Sequence, residues 1–321
     1  MELTENELLK YLKKFGGKNA AILRGIGDDA AVVRIEQGSY VFTQDAMVEH
    51  VHFDFAFDTP FSLGKKVVSV NVSDVLSMGA RPLYFLVTLG VPATLQFNAI
   101  QRLYQGMSSA AKESKAILVG GDITEGGDSL FVDISMVGKL VVPQYLGRNG
   151  AKPGDLLGVT GELGEASYGR MLLEAGVGVS RNRFITRYLT PSPPFETWRR
   201  LVDLRIPHAM VDVSDGLLVD LERMMLESRT SAVVHLEEIP VPRELKKAGK
   251  QDLALSGGED YQLLFSFGRK KLAQVEELKA QGFAVSVIGE VKQGKGVHLL
   301  DRGAEVMVSA RGYEHFKRAA V

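Results

Sequence analysis

Cysteine is absent from all 321 residues. Disulfides, thiolate metal sites, iron-sulfur clusters and cysteine nucleophiles are therefore excluded, and any metal must be held by oxygen or imidazole. An excess of positive charge is missing as well. The 38 Lys and Arg face 39 Asp and Glu, a formal net charge of -1, so nothing draws the chain onto nucleic acid or an acidic membrane. Long apolar runs are also lacking: the most apolar stretch, Pro82 to Pro92, is much too short to cross a bilayer. The opening segment alternates charged and apolar residues where a signal peptide would carry an unbroken apolar core. A cytoplasmic protein with neither a nucleic-acid nor a membrane partner is the expectation.

The usual phosphate and hydrolase signatures are missing too. There is no G-x-x-x-x-G-K-[ST] loop, no G-x-G-x-x-G opening a helix, no G-x-S-x-G elbow, no H-E-x-x-H pair and no EF-hand loop. One glycine turn, Gly161-Glu-Leu-Gly-Glu-Ala-Ser, runs from a strand into a helical pattern and has amides free to cradle an anion, although most such turns are only turns.

What is present is a mixture of strands and helices in both halves. The first half carries helical patterns over Glu5 to Phe15, Lys65 to Met78 (ending at Gly79, a plausible C-cap) and Asn98 to Ser114. Its strand patterns are Ala30 to Ile35, Tyr40 to Thr43, Tyr84 to Val91 and Leu130 to Val137. The turn-rich Arg148-Asn-Gly-Ala-Lys-Pro-Gly-Asp155 marks a domain boundary, giving domains 1–147 and 148–321. In the second half Leu156 to Thr160, Ala209 to Val213, Leu263 to Phe267 and Ala284 to Ile288 read as strands, Leu217 to Ser228 and Arg269 to Gln281 as helices, and Thr190 to Pro194 as a loop. Two α/β (α+β) domains are predicted.

The carboxylates are the chemically informative feature. Asp28, Asp45, Asp74, Asp122, Asp212 and Asp215 sit beside glycines, at strand ends or in apolar segments, as does the pair Glu259 and Asp260. A carboxylate in such a place costs stability unless something uses its charge. Magnesium is a natural user, because it prefers oxygen and is commonly shared between one or two protein carboxylates and substrate phosphates. Asp is also a good turn and cap residue, so each position taken singly has a bland explanation; Asp215 alone would serve as a cap for the helix starting near Leu217.

Taken together, seven segments resemble the thiamine-monophosphate kinase family of the aminoimidazole ribonucleotide synthetase-like superfamily. They are Gly27-Asp-Asp-Ala-Ala-Val, Thr43-Gln-Asp-Ala-Met-Val-Glu-His-Val-His-Phe, Asn71-Val-Ser-Asp-Val-Leu-Ser-Met-Gly-Ala-Arg-Pro, Gly120-Gly-Asp-Ile-Thr, Arg148-Asn-Gly-Ala-Lys-Pro-Gly-Asp, Asp212-Val-Ser-Asp-Gly-Leu and Ser256-Gly-Gly-Glu-Asp-Tyr. The resemblance implies ATP-dependent phosphorylation of thiamine monophosphate to thiamine diphosphate, the last step in making that cofactor, by direct transfer with several magnesium ions and no protein nucleophile. It implies metal ligands at Asp28, Thr43, Asp45, Asp74, Asp122, Asp212 and Asp215. ATP contacts fall at Tyr104, Gly121, Asp122, Arg148 and Ser214, and substrate contacts at His52, Glu259, Asp260 and either Tyr313 or Phe316. It further implies a fold like aminoimidazole ribonucleotide synthetase. There the N-terminal domain binds ATP and magnesium and pairs its sheet across a homodimer into a barrel, while the C-terminal α/β domain completes the phosphate and substrate site.

Three positions depart from the family pattern: Gln44 where a hydroxyl residue is usual, His50 where glycine is usual, and Gln262 where an acid is usual. Relatives in the superfamily that act on other substrates are disfavoured. Selenophosphate synthetase-like and hydrogenase-maturation members rely on a reactive Cys or selenocysteine that this chain lacks, and no Asp-Gly-Val-Gly-Thr-Lys segment follows the second strand. A non-catalytic metal- or nucleotide-binding module on the same scaffold remains the alternative from another class.

Overall fold

The computed structural model describes residues 11–17, 19–24, 31–178 and 182–307. The chain divides into two compact units, Met1–Leu76 with Ala80–Val141, and Ser77–Gly79 with Val142–Val321.

In the first unit, β1 (Ile22–Arg24) pairs antiparallel with β2 (Val32–Val33). There follow β3 (Tyr40–Val48), α1 (Pro60–Ser77), β4 (Ala80–Val91), α2 (Phe97–Ser114), β5 (Ile117–Glu125) and β6 (Phe131–Leu140). The four longer strands form one sheet in the order β3-β6-β4-β5. Neighbours are antiparallel except β4 and β5, which run parallel and are joined through α2 as a parallel crossover requires. Alternation decides the two faces of this sheet. Met47, Phe85, Val87, Leu89, Val132, Ile134 and Met136 are buried on one, and Phe42, Gln44, Ala46 and Leu86 are exposed on the other.

Helix α1 starts where the local chemistry says it should. Thr59 N–H donates to Ser62 Oγ at 2.8 Å, Ser62 N–H donates to Thr59 Oγ1 at 3.0 Å, and Pro60 supplies a fixed φ at the first helical position. Beyond its end Gly79 adopts φ +74°, the left-handed conformation that closes helices. The predicted start at Lys65 was late because Ser62, Gly64 and two lysines dilute the apolar pattern, yet Leu63 and Lys66 are both fully buried. Glycine lets α1 and α2 nearly touch: a Cβ on Gly64 would lie 2.0 Å from the carbonyl oxygen of Leu103, and one on Gly106 would lie 2.0 Å from that of Phe61.

The second unit contains β7 (Leu156–Thr160), α3 (Glu165–Glu174), α4 (Arg183–Leu189), α5 (Phe195–Asp203), β8 (Pro207–Val213), α6 (Leu217–Ser228) and β9 (Ser231–His235). Short helices α7 (Arg243–Lys247) and α8 (Leu253–Ser256) lead to β10 (Gln262–Phe267), α9 (Leu272–Ala280), β11 (Val285–Lys292), β12 (Gly296–Asp301) and β13 (Ala304–Val306). Its seven-stranded sheet has the order β13-β12-β9-β11-β7-β10-β8. Leu157, Val159, Val211, Val213, Leu264, Ile288 and Val291 of the sheet pack with Leu217, Leu221, Met224 and Met225 of α6 in one core. That core fixes the ends of β8 and β10, where two of the acidic motifs lie.

Strand β5 escaped the sequence reading because Gly120, Gly121 and Asp122 carry none of the β-branched signal. Conversely, Ala30 to Ile35 reads as a full strand, yet among the described residues only Val32–Val33 pairs. Most of the helix expected over Glu5 to Phe15 lies outside the described residues.

Candidate active site

In the first unit Thr43 and Asp74 meet: Thr43 Oγ1, on β3, donates to Asp74 Oδ2, on α1, at 2.6 Å. Asp45 is two residues further along β3, so it projects from the same face as Thr43. Gln44 projects from the other face and donates from Nε2 to Asp133 Oδ2 of β6 at 2.8 Å. Its amide is thus engaged away from Thr43 and Asp45, and the loss of the family's hydroxyl leaves their face unaltered. Asp122 is exposed in β5, where the register Ala46, Asp133, Thr88, Asp122 runs across the four strands on the Gln44 face. Gly121 is its neighbour in the same strand, opposite Val87.

His52 is half-buried just past β3 and accepts the Val48 N–H on Nδ1 at 3.2 Å, which fixes its ring at the strand end. His50, before it, holds φ +65° and places Nδ1 3.1 Å from Asp54 Oδ2. That left-handed backbone explains why glycine is usual there. The His50–Asp54 pair is exposed and worth little. His50→Gly is therefore expected to raise stability by about 1 kcal/mol in urea unfolding, with the strain outweighing the lost pair; a loss of stability would give that pair the greater weight. Tyr104 is buried in α2 with its ring 5.5 Å from that of Phe15, and burial pushes its phenol pKa up.

The second unit binds two acidic loops into one piece. Beyond β8, Ser214 O accepts the Glu259 N–H at 2.8 Å, and Val213 O accepts the Tyr261 N–H at 2.9 Å. Gly258 permits this approach, since a Cβ there would sit 2.5 Å from Ser214 O. Asp212 is buried on β8 opposite Leu263, and Ser214 and Asp215 are half-buried beyond it. Glu259 and Tyr261 hold φ +69° and +49°, backbone strain that side-chain-bearing residues keep only where their surroundings impose it.

Asp260, between these strained residues, is buried and accepts Gly164 N–H on Oδ2 at 2.6 Å and Ala166 N–H on Oδ1 at 3.0 Å. It therefore caps α3 from a distance, and Gly164 itself offers no side chain to do so. Two amides of the Gly161 to Ser167 turn, expected to be open to an anion, are occupied by this carboxylate. Burial raises the Asp260 pKa to about 7 against the lowering effect of the two N–H donors. Glu259, half-buried, is the member of the pair whose charge bears on Arg170 of α3. Gln262 is buried inside the sheet, where its Oε1 accepts Thr160 Oγ1 at 2.9 Å, so that departure from the family pattern is an internal strand-to-strand contact.

Arg148 has an exposed side chain and a tethered backbone: its carbonyl accepts Ser228 Oγ at 2.6 Å, and Ser228 Oγ also accepts the Ala151 N–H at 3.1 Å. The same loop is pinned by buried Asp155, whose carboxylate accepts Lys152 N–H at 3.0 Å and lies 2.9 Å from His208 Nδ1. Sequence reasoning missed these supports, along with Asp133, Asp220 and Arg223; the signal available for the last two was their i, i+3 spacing in the first turns of α6. Asp28, Tyr313 and Phe316 lie outside the described residues.

Comparison with known proteins gives this arrangement its class. Residues 27–140 match the AIR synthase related protein N-terminal domain and residues 152–302 the corresponding C-terminal domain. The chain is 32% identical to the thiamine-monophosphate kinase of Bacillus subtilis, across 91% of this chain and 93% of that one. It is 31% identical to that of Aquifex aeolicus, across 96% and 99%. The crystal structure of thiamine-monophosphate kinase from Stenotrophomonas maltophilia superposes with a TM-score of 0.81 at 30% identity, covering 95% of this chain and 99% of that one. A structure of AaThiL complexed with AMPPCP and TMP superposes with a TM-score of 0.76 at 31% identity, covering 86% and 87%. The chain belongs to the AIR synthase-related family and, within it, to the thiamine-monophosphate kinases.

Proposed function

We propose that this protein transfers the γ-phosphoryl group of ATP directly to the phosphate of thiamine monophosphate, giving thiamine diphosphate and ADP. The observation that carries the reading is near-full-length similarity to thiamine-monophosphate kinases, joined to a set of oxygen donors already organised by the fold. In this reading domain 1–147 takes ATP and magnesium, and domain 148–321 contributes phosphate and substrate contacts. Location in the cytoplasm accompanies it; among the described residues no helix is long and apolar enough to cross a membrane.

The donor chemistry fits magnesium. Thr43, Asp45 and Asp74 offer hydroxyl and carboxylate oxygen on one side of β3, while Asp122, Asp212 and Asp215 add carboxylates. Among the described residues no three His, Asp or Glu side chains gather closely enough to hold an ion by themselves. That matches a cation which takes one or two protein carboxylates and completes its shell with water and substrate phosphate. Magnesium would neutralise the phosphate oxygens that two polyanionic substrates bring together. The chain's own residues do the rest. Tyr104, Gly121, Arg148 and Ser214 orient the nucleotide, His52 and Glu259 hold the acceptor, and Asp260 fixes the loop that presents Glu259. An acceptor phosphate is already nucleophilic at neutral pH, so in-line positioning suffices and no side chain need abstract a proton.

A homodimer accompanies the reading, with a second copy pairing against the open face of the β3-β6-β4-β5 sheet. Phe42 is 74% exposed and Leu86 43% exposed on that face, a costly placement for large apolar side chains in a monomer. Light scattering should give twice the chain mass for the wild type and the single-chain mass for Phe42→Asp; a monomeric wild type contradicts the pairing.

Purified protein incubated with ATP, magnesium and thiamine monophosphate should yield thiamine diphosphate by chromatography. Turnover of another phosphate ester without thiamine diphosphate would overturn the substrate assignment, and loss of ATP binding would point to a scaffold without catalysis.

A further inference from the structure

Asp220 and Arg223 lie outside every motif that led to the proposed function, yet they organise one of them. Asp220, on the first turn of α6, is 1% exposed by side chain and turns back over the preceding loop. Its Oδ2 accepts both the Ser214 and the Asp215 N–H groups at 3.1 Å, and its Oδ1 accepts Arg223 Nη1 at 2.9 Å. The same Nη1 reaches Asp215 Oδ2 at 2.5 Å. Arg223 is thus shared between a buried carboxylate that never leaves the loop and a half-buried one assigned to metal. Its side chain is 39% exposed and that of Asp215 28%, so the second contact can open toward solvent without disturbing the core.

A charge-assisted contact of this kind has two effects on Asp215. It neutralises the carboxylate while no cation is bound, and it opposes a cation that arrives, through competition for the same oxygen and like-charge repulsion. Asp220 supplies what Arg223 needs to remain there: a second anchor one turn before it on the helix, itself held by two backbone donors. Building on the reading of Asp215 as a metal ligand, we propose that Arg223 is a positioning residue serving as an internal counter-cation for Asp215, held in place by Asp220 and displaced from Asp215 when magnesium binds. The pair therefore sets how much magnesium the protein needs. Asp220 separately keeps the Ser214–Asp215 peptide in register whether or not metal is bound.

The test is thermal melting of the full chain titrated with magnesium chloride at constant ionic strength, with no nucleotide, so that the readout does not depend on turnover. Relative to wild type, Arg223→Met should melt lower in the absence of magnesium, and its half-maximal magnesium concentration should fall by about 3- to 10-fold. Arg223→Lys keeps the charge and should stay within about 2-fold of wild type, which a role of the guanidinium in packing alone would not allow. Asp220→Asn retains an acceptor for the two N–H groups while releasing Arg223 from its anchor, and should shift the magnesium midpoint in the same direction as Arg223→Met. Should Arg223→Met fail to fold, Arg223→Gln serves in its place, with the same expected fall. An unchanged or raised midpoint in the neutral variant, beside clear magnesium stabilisation of the wild type, overturns the counter-cation role. A wild type that responds to magnesium no more than to matched sodium overturns the metal assignment of Asp215 itself, and the inference with it.

Discussion

Replacing Asp45, Asp74 or Asp122 singly with Asn is expected to lower the rate of thiamine diphosphate formation by about 100-fold or more, the scale of losing one preorganised electrostatic stabiliser. The metal-free melting temperature should barely move. Asn accepts hydrogen bonds and occupies turns as well as Asp does, so a residue present only for local structure tolerates the change. Asp74 makes the contrast sharp, because its contact with Thr43 Oγ1 at 2.6 Å needs an acceptor oxygen and Asn still has one. Any loss of stability should stay under about 1 kcal/mol, the net worth of an ordinary hydrogen bond. Rates close to wild type in all three variants would return these aspartates to structural roles. A selective effect would matter too: by register Asp122 shares a face with Asp133, whereas Thr43 and Asp45 share the other.

The second large effect concerns Asp260 and pH. Burial raises its pKa to about 7 in the folded chain, whereas an unfolded Asp ionises near 3.9. Between those values the folded state binds the extra proton, so stability is highest at the acid end and declines as pH rises through about 7. For this one group the span is on the order of 4 kcal/mol if the full shift is expressed. Urea unfolding of the wild type should therefore show stability falling from pH 5 to pH 7.5. Asp260→Asn stays neutral throughout and keeps an oxygen for the Gly164 or Ala166 N–H, so its stability should be nearly flat over the same range. Parallel pH profiles for the two proteins would mean that the carboxylate is ionised in both the folded and unfolded states.

The sequence was most legible where apolar periodicity and turn chemistry act locally. Strand β7, helix α6 and the close of α1 at Gly79 are written in neighbouring residues, and the fold follows them. Strand β5 was illegible because its pairing with β4 comes from the sheet and not from the propensity of Gly120, Gly121 and Asp122. The same division runs through the site. Acidic residues beside glycines announce a cation-dependent chemistry, and the seven ordered motifs narrow it to one family. What each carboxylate touches is a tertiary fact. Asp260 belongs to the Gly-Gly-Glu-Asp-Tyr motif, but its oxygens go to a helix N-terminus 94 and 96 residues earlier in the chain. Gln262 and Gln44, which stand out as departures from the pattern, are absorbed by contacts with Thr160 and Asp133 that no local spacing reveals.

Direct transfer between two phosphates is the central claim, and a single-turnover experiment with ATP labelled on its γ-phosphoryl group tests it most directly. Protein in excess over labelled ATP, with magnesium and thiamine monophosphate, is quenched at intervals, and protein and small molecules are separated. Label should pass from ATP to thiamine diphosphate in one phase with none retained on the protein, as expected for in-line transfer without a protein nucleophile. Label that accumulates on the chain before reaching product, or that reaches free phosphate and never thiamine diphosphate, would contradict the account.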